Sequence, residues 1–177
     1  ALAVLASFAS AEVKLNALFT DHAVLQRDVA IPVWGTANAG QEISVSLHGV
    51  TASAKADADG KWYITLPPQK VGGPFEMVVK GENEVRVSDV YVGEVWLASG
   101  QSNMEFTVSK SVKPWAGTLN ETDEIAQANH PQIRMITVPL KLADEPKETF
   151  EGQWKVCSPE TVPAFSAIGY FFARELR

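Results

Sequence analysis

From Ala23 to Ser88 the chain runs as short apolar-bearing segments separated by turn residues. The clearest is residues 42–48, where Ile43, Val45 and Leu47 alternate with Glu42, Ser44, Ser46 and His48. A period of two puts one face of a strand inward and the other toward water. Comparable segments predict strands at 30–34, 50–56, 61–66, 75–80 and 84–87. Gly35, Asn38 to Gly40, Asp59-Gly60, the stretch from Pro67-Pro68 to Gly72-Gly73-Pro74, and Gly81 to Asn83 supply the breaks between them, each by the backbone freedom or constraint of Gly, Pro and Asn. No helical period interrupts the series. Short strands at this spacing predict an antiparallel β-sandwich over residues 12–88.

The pattern changes near Val90. Residues 90–98 (VYVGEVWLA) form a nearly continuous apolar run, the mark of a strand covered on both faces in a parallel sheet. A second such strand is predicted at 133–138. Between them Asn120 can cap a helix through Asn129, with Glu121, Asp123 and Glu124 at its positive end and His130-Pro131 to stop it. Strand, helix and strand in that order predict a right-handed βαβ crossover. The charged stretch 144–150, which contains Pro146, reads as a loop. Phe165, Ile168, Phe172 and Leu176 share one face of a final helix over 165–177. Residues 89–177 therefore read as the first part of an α/β domain, and a helix that reaches Arg177 without a cap reads as leading into more protein. At the other end, residues 1–11 (ALAVLASFASA) read as the remnant of a signal peptide, or alternatively as an apolar first element. They are too short to span a bilayer, which takes about 20 apolar residues. The expectation is an exported protein whose mature chain begins near Glu12.

Composition narrows the partners. The 177 residues are 46% hydrophobic and 20% charged, with a formal net charge of −6, as in a soluble folded protein. No basic stripe marks a nucleic-acid or anionic-membrane partner. The single cysteine, Cys157, cannot form an intrachain disulfide and reads as a small buried hydrophobe.

The candidate chemistry lies at Ser99-Gly100-Gln101-Ser102-Asn103-Met104-Glu105, directly after the apolar run. In open α/β sheets ligands bind outside the carboxyl ends of the strands, which puts Ser102 where chemistry occurs. Gly100 permits a tight turn and a close substrate approach. A helical turn opening at Ser102 would aim unpaired backbone N–H groups at the oxyanion formed when the hydroxyl adds to an ester carbonyl. A hydroxyl alone is a poor nucleophile, so a histidine base oriented by a carboxylate must complete such a site. Gly-Gln-Ser-Asn after a strand is also ordinary turn and cap chemistry, and both readings stand on the residues alone. His22, His48 and His130 read as structural or solvent-facing, none belonging to an Asp-x-x-His arrangement. Asp57, Asp59 and Asp89 read as turn or strand-end residues. Trp34, Trp62 and Trp96 fall on strands and read as core, although an exposed tryptophan could stack on a sugar face.

The string Gly100-Gln101-Ser102-Asn103-Met104, preceded by Asp89 to Ala98, resembles the first conserved block of the sialate O-acetylesterase family of SGNH hydrolases. Two flanking regions resemble the same family: Asp21-His22-Ala23-Val24-Leu25-Gln26-Arg27-Asp28 ahead of Ile31-Pro32-Val33-Trp34-Gly35, and Val162 to Leu176. The resemblance implies an amino-terminal β-sandwich followed by the first part of a flavodoxin-like α/β/α hydrolase domain. It implies an esterase acting on O-acetylated sugars, without metal or other cofactor. Ser102 then becomes the nucleophile, its own N–H one oxyanion donor, while Gly100, Gln101, Asn103 and Met104 shape the loop. The family's other blocks, an oxyanion glycine, an oxyanion asparagine and an Asp-x-x-His pair, are expected beyond Arg177. The rival expectation is a non-catalytic β-sandwich module that binds glycans or partners.

Overall fold

The alternating segments form two β-sheets that close on a shared apolar core. The computed structural model describes residues 12–177, and the segment 1–11 read as a signal-peptide remnant lies outside the described residues. The strands are β1 (Lys14–Leu15), β2 (Val24–Gln26), β3 (Ile31–Thr36), β4 (Glu42–Leu47), β5 (Val50–Lys55), β6 (Lys61–Leu66), β7 (Gly72–Lys80) and β8 (Glu84–Gly93). One sheet has the order β1-β3-β6 and the other β2-β8-β7-β4-β5. Alternation decides which side chains meet between them: Ile31, Val33, Ile43, Val45, Leu47, Trp62, Ile64, Leu66, Met77, Val79, Val90 and Val92 are all buried in one cluster. Trp62 is core as expected, whereas Trp34 is only half-buried.

Turn chemistry sets the registers. His48 and Gly49, both at positive φ (46° and 78°), join β4 to β5, the two-residue hairpin geometry that matches strand twist. His48 thus belongs to the turn and not to the strand. One pairing departs from the antiparallel expectation: β2 runs parallel to β8, Val24 opposite Tyr91 and Gln26 opposite Gly93.

Beyond β8 the structure departs from the predicted crossover. The remaining elements are α1 (Ser102–Glu105), α2 (Glu121–Ala126), β9 (His130–Met135), β10 (Lys155–Cys157) and α3 (Ala167–Glu175), with a 3-10 turn at Val162–Ala164. The run 90–98 is strand only as far as Gly93, and Val95, Trp96 and Leu97 are 41%, 62% and 90% exposed. An apolar run reports a preference for burial without supplying a neighbouring strand, and among the described residues none lies alongside these. β9 pairs antiparallel with β10 instead of parallel with β8, so no βαβ unit forms among the described residues. Asn120 also behaves differently from expectation. It has φ 55° and its side chain makes no cap bond, while its carbonyl accepts the N–H groups of Asp123 and Glu124.

A second, smaller core gathers Val108, Ala128, Ile133, Met135, Cys157, Val162, Ala167 and Tyr170. α3 faces it through Ala167, Gly169 and Tyr170. The face read from the spacing points outward, leaving Ile168, Phe172 and Leu176 45%, 44% and 55% exposed. Among the described residues no helix is long and apolar enough to cross a membrane.

Candidate active site

The segment leaving β8 carries Ser102 into α1, a single exposed turn. Gln101 precedes it in a non-helical conformation without a side-chain cap bond, and the turn closes through the Met104 N–H donating to the Gln101 carbonyl at 2.9 Å. At Gly100 a Cβ would stand 2.8 Å from Met104 Cγ, so any side chain there would have to displace Met104. Gln101, Ser102 and Asn103 are exposed and Met104 is half-buried over Gly100.

Contacts on two sides hold this turn against α3. On one side Trp96 packs edge-on against Phe172, ring centroids 5.2 Å apart. On the other, Thr107 bridges Ser166, the Ala167 N–H donates to the Phe106 carbonyl at 2.7 Å, and the Val108 N–H donates to the Phe165 carbonyl at 3.1 Å. Ser166 in turn caps α3 by accepting the Gly169 N–H. Phe106 lies edge-on to Trp115 at 5.3 Å, and Glu105 pairs with Lys113 at 3.3 Å. The serine thus stands on a braced turn, its hydroxyl without a hydrogen-bond partner among the described residues. A groove of about 600 Å³ is lined by Tyr91, Trp96, Ala98, Arg134, Trp154 and Phe172 among others, but not by Ser102.

No histidine reaches Ser102. His48 stacks on Phe75 at 4.1 Å. His130 stacks on Tyr170 at 6.1 Å and its Nδ1 accepts from Arg177 Nη1 at 2.5 Å; burial first, then Arg177 and Arg174, hold its pKa below the ordinary value. Burial pushes the Cys157 thiol up to about 11, which keeps it protonated and inert at neutral pH.

His22 belongs to a cluster that spacing does not reveal. Its Nδ1 lies 2.6 Å from Asp89 Oδ2, and Arg134 reaches the same carboxylate, Nη1 at 2.9 Å from Oδ2 and Nη2 donating to Oδ1 at 3.3 Å. The Nη1 contact is an ion pair and not a hydrogen bond, and among the described residues Arg134 Nε has no hydrogen-bond partner. The Arg134 guanidinium lies 4.8 Å over the Tyr91 ring. His22 and Asp89 both adopt left-handed backbone, φ 70° and 54°, a conformation uncommon outside glycine. Asp21 fixes the loop by accepting the Ser88 N–H at 2.7 Å, which holds its carboxyl below the usual carboxylate range. The cluster therefore joins the Asp21-His22 loop, the middle of β8 and β9. Asp89 is an ion-pair centre within β8, not the strand-end residue expected.

No protein-family model matches the chain. Sialate O-acetylesterases from Pongo abelii and Homo sapiens are each 31% identical to it over 175 residues, covering 86% of this chain and 32% of theirs. The chain is homologous to the sialate O-acetylesterases. A solved structure, that of a carbohydrate acetylesterase from Xanthomonas citri, superimposes with a TM-score of 0.85 at 40% identity, covering 94% of this chain and 37% of that one. The chain spans about a third of the length of these relatives, and the homology takes in most of the described elements.

Proposed function

We propose that this chain is part of a carbohydrate O-acetylesterase in which Ser102 is the nucleophile. The observation that carries the reading is the 40% identity and TM-score of 0.85 with a carbohydrate acetylesterase, in a chain whose Gly-Gln-Ser-Asn-Met turn is exposed and braced. The two-sheet region is read as a β-sandwich domain, and residues 89–177 as the opening part of an SGNH-type hydrolase domain that the rest of the relatives' length completes. The apolar leader 1–11 supports export, with action in the periplasm or outside the cell.

In this mechanism Ser102 Oγ attacks the acetyl carbonyl carbon while a base takes its proton. The tetrahedral oxyanion is met by the Ser102 N–H, and its collapse expels the sugar oxygen, which is reprotonated. Water then attacks the acetyl-enzyme and acetate leaves, returning the proton to Ser102. The resemblance implies that the base and its carboxylate come from the part of the relatives that this chain does not span, and the engagement of His22, His48 and His130 elsewhere agrees with it. Residues 1–177 alone are accordingly expected to turn over p-nitrophenyl acetate negligibly, since serine without its base retains little of the acceleration. The test is acetate release from O-acetylated xylan and O-acetylated sialic acid by the protein at its relatives' length. Release by the parent and at least about a thousandfold loss in Ser102→Ala supports the assignment. Release unaffected by Ser102→Ala contradicts the assignment, and Ser102-dependent turnover by residues 1–177 alone contradicts the expectation that the base lies elsewhere.

A further inference from the structure

The string Asp21 to Asp28 grips β8 at two places. Asp21 and His22 meet its middle, at Ser88 and Asp89, whereas Gln26 and Arg27 meet the run that leaves its end for Ser102. β2 pairs with β8 as far as Gln26 opposite Gly93, and the Arg27 N–H adds a rung by donating to the Gly93 carbonyl at 2.9 Å. Backbone pairing stops there, and the half-buried Gln26 side chain continues the ladder in its place. Its Oε1 accepts the Val95 N–H at 2.8 Å, and its Nε2 donates to Glu94 Oε2 at 3.0 Å. The Val95 N–H fixes which end of the amide is oxygen, since an amide nitrogen cannot accept. Arg27 Nε donates to the other carboxylate oxygen, Glu94 Oε1, at 2.6 Å. Gln26 first and Arg27 second hold the Glu94 carboxyl below the usual carboxylate range, so at neutral pH it is ionised and accepts from both.

These bonds matter because the run from Glu94 to Gly100 has few others. Among the described residues, the Val95 N–H is the one backbone group of residues 94–100 that makes a hydrogen bond. No strand or helix includes these residues, and Val95, Trp96 and Leu97 are exposed. Besides the Gln26 amide, the edge-on contact of Trp96 with Phe172 steadies them. On its far side the Ser102 turn is tied to α3 through Phe106, Thr107 and Val108. Its near side is joined to the sandwich through this run alone. The bond at Val95 therefore sets the direction in which the chain approaches Ser102, and a displacement of about 1 Å at a reacting group can cost about a hundredfold in rate. Hydrogen bonds at so open a site contribute little to global stability, so their role can be separated from that of the fold.

We propose that Gln26 is a positioning residue for Ser102: its amide extends the β2–β8 pairing past Gly93 and fixes the course of the run that delivers the nucleophile. The role of Ser102 rests on the acetylesterase reading above, but the bond at Val95 is also read without turnover. The experiment uses the protein at its relatives' length as parent, Gln26→Ala, Gln26→Glu, Glu94→Gln and the double variant Gln26→Glu/Glu94→Gln. Arg86→Gln, which breaks the pair with Glu76 near the start of β8, is the control. Gln26→Glu keeps an acceptor for Val95 but sets a second carboxylate against Glu94, and the double variant restores one donor to one acceptor.

With p-nitrophenyl acetate, kcat is expected to fall about tenfold in Gln26→Ala and Gln26→Glu while KM stays within about twofold. Urea midpoints should stay within about 0.3 M of the parent, the double variant should return to within about threefold of Glu94→Gln alone, and Arg86→Gln should match the parent. Deuterium uptake by peptides covering residues 94–104 should rise in Gln26→Ala, while peptides from β4 and β6 stay unchanged. An unchanged kcat or unchanged uptake over 94–104 in Gln26→Ala, no recovery in the double variant, or a fall in kcat matched by a fall in the urea midpoint would overturn the proposal. Gln26-dependent uptake in a protein whose acetate release ignores Ser102→Ala keeps the bond's role in holding the run and removes the esterase reading. Ser102-dependent release that is indifferent to Gln26→Ala does the reverse.

Discussion

Asp89→Asn isolates what the ion-pair cluster contributes. Asparagine tolerates the left-handed backbone at this position, φ 54°, as aspartate does, so the substitution removes charge without adding conformational strain. The Arg134 side chain, 5% exposed, is left with the Tyr91 ring and a weakened acceptor. Breaking a fully buried pair costs about 3–5 kcal/mol. Asp89 is 30% exposed, so water shares its charge and a loss of about 2 kcal/mol is expected. Arg134→Met keeps the bulk and leaves Asp89 with His22 and solvent, for a loss of about 1 kcal/mol. Because the two changes destroy the same interaction, the double variant should lose about 1 kcal/mol less than their sum. Urea unfolding followed by tryptophan fluorescence reads this directly, since 2 kcal/mol moves the midpoint by about 1 M for a slope of about 2 kcal/mol per M. A midpoint shift under about 0.2 M in Asp89→Asn, or strict additivity in the double variant, refutes the idea that the cluster fastens β9 to β8.

Three further outcomes follow from the packing. Cys157, fully buried with its thiol pushed up to about 11, should resist an aromatic disulfide reagent in the native state and react at once in urea; rapid native labelling would contradict its placement. His130 is disfavoured from protonating when folded, its pKa lying below the ordinary 6.5, so its contribution is intact above about pH 6.5 and lost as pH falls. Urea midpoints should therefore drop on moving toward acid, and His130→Gln should flatten that drop; an unchanged slope would assign it to other groups. Gly100→Ala should leave the urea midpoint within about 0.5 M, yet lower acetate release tenfold or more as the new Cβ displaces Met104 and with it the Ser102 turn.

Strands β4 and β6 were readable because every second side chain enters one core, and the wrong register would expose Ile43, Val45 and Leu47 or Trp62, Ile64 and Leu66 together. β1 and β2, two and three residues long, are too short to carry a period. The run after Gly93 misled because hydrophobicity states that Val95 to Leu97 favour burial but not which partner covers them. For the same reason the Phe172 and Leu176 face of α3 was visible as a face while its direction was not. At the candidate site, Ser102 was singled out through Gly100, the preceding apolar run and the resemblance to a known block. The cluster around Asp89 was hidden because its partners lie 67 and 45 positions away in sequence, and nothing local distinguishes a pairing aspartate from a turn one. Trp34, read as core, is only half-buried, because its ring meets buried Phe19 on one side and exposed Tyr63 on the other.

The most direct measurement is the site of the acetyl-enzyme. The protein at its relatives' length is mixed rapidly with p-nitrophenyl acetate, quenched in acid, digested and mapped by mass spectrometry. Acetylation confined to the Ser102 peptide, forming with a burst of p-nitrophenol and absent from Ser102→Ala, is the predicted result. A burst that persists in Ser102→Ala, or an acetyl group mapped to another residue, would contradict the assignment of Ser102 as the nucleophile.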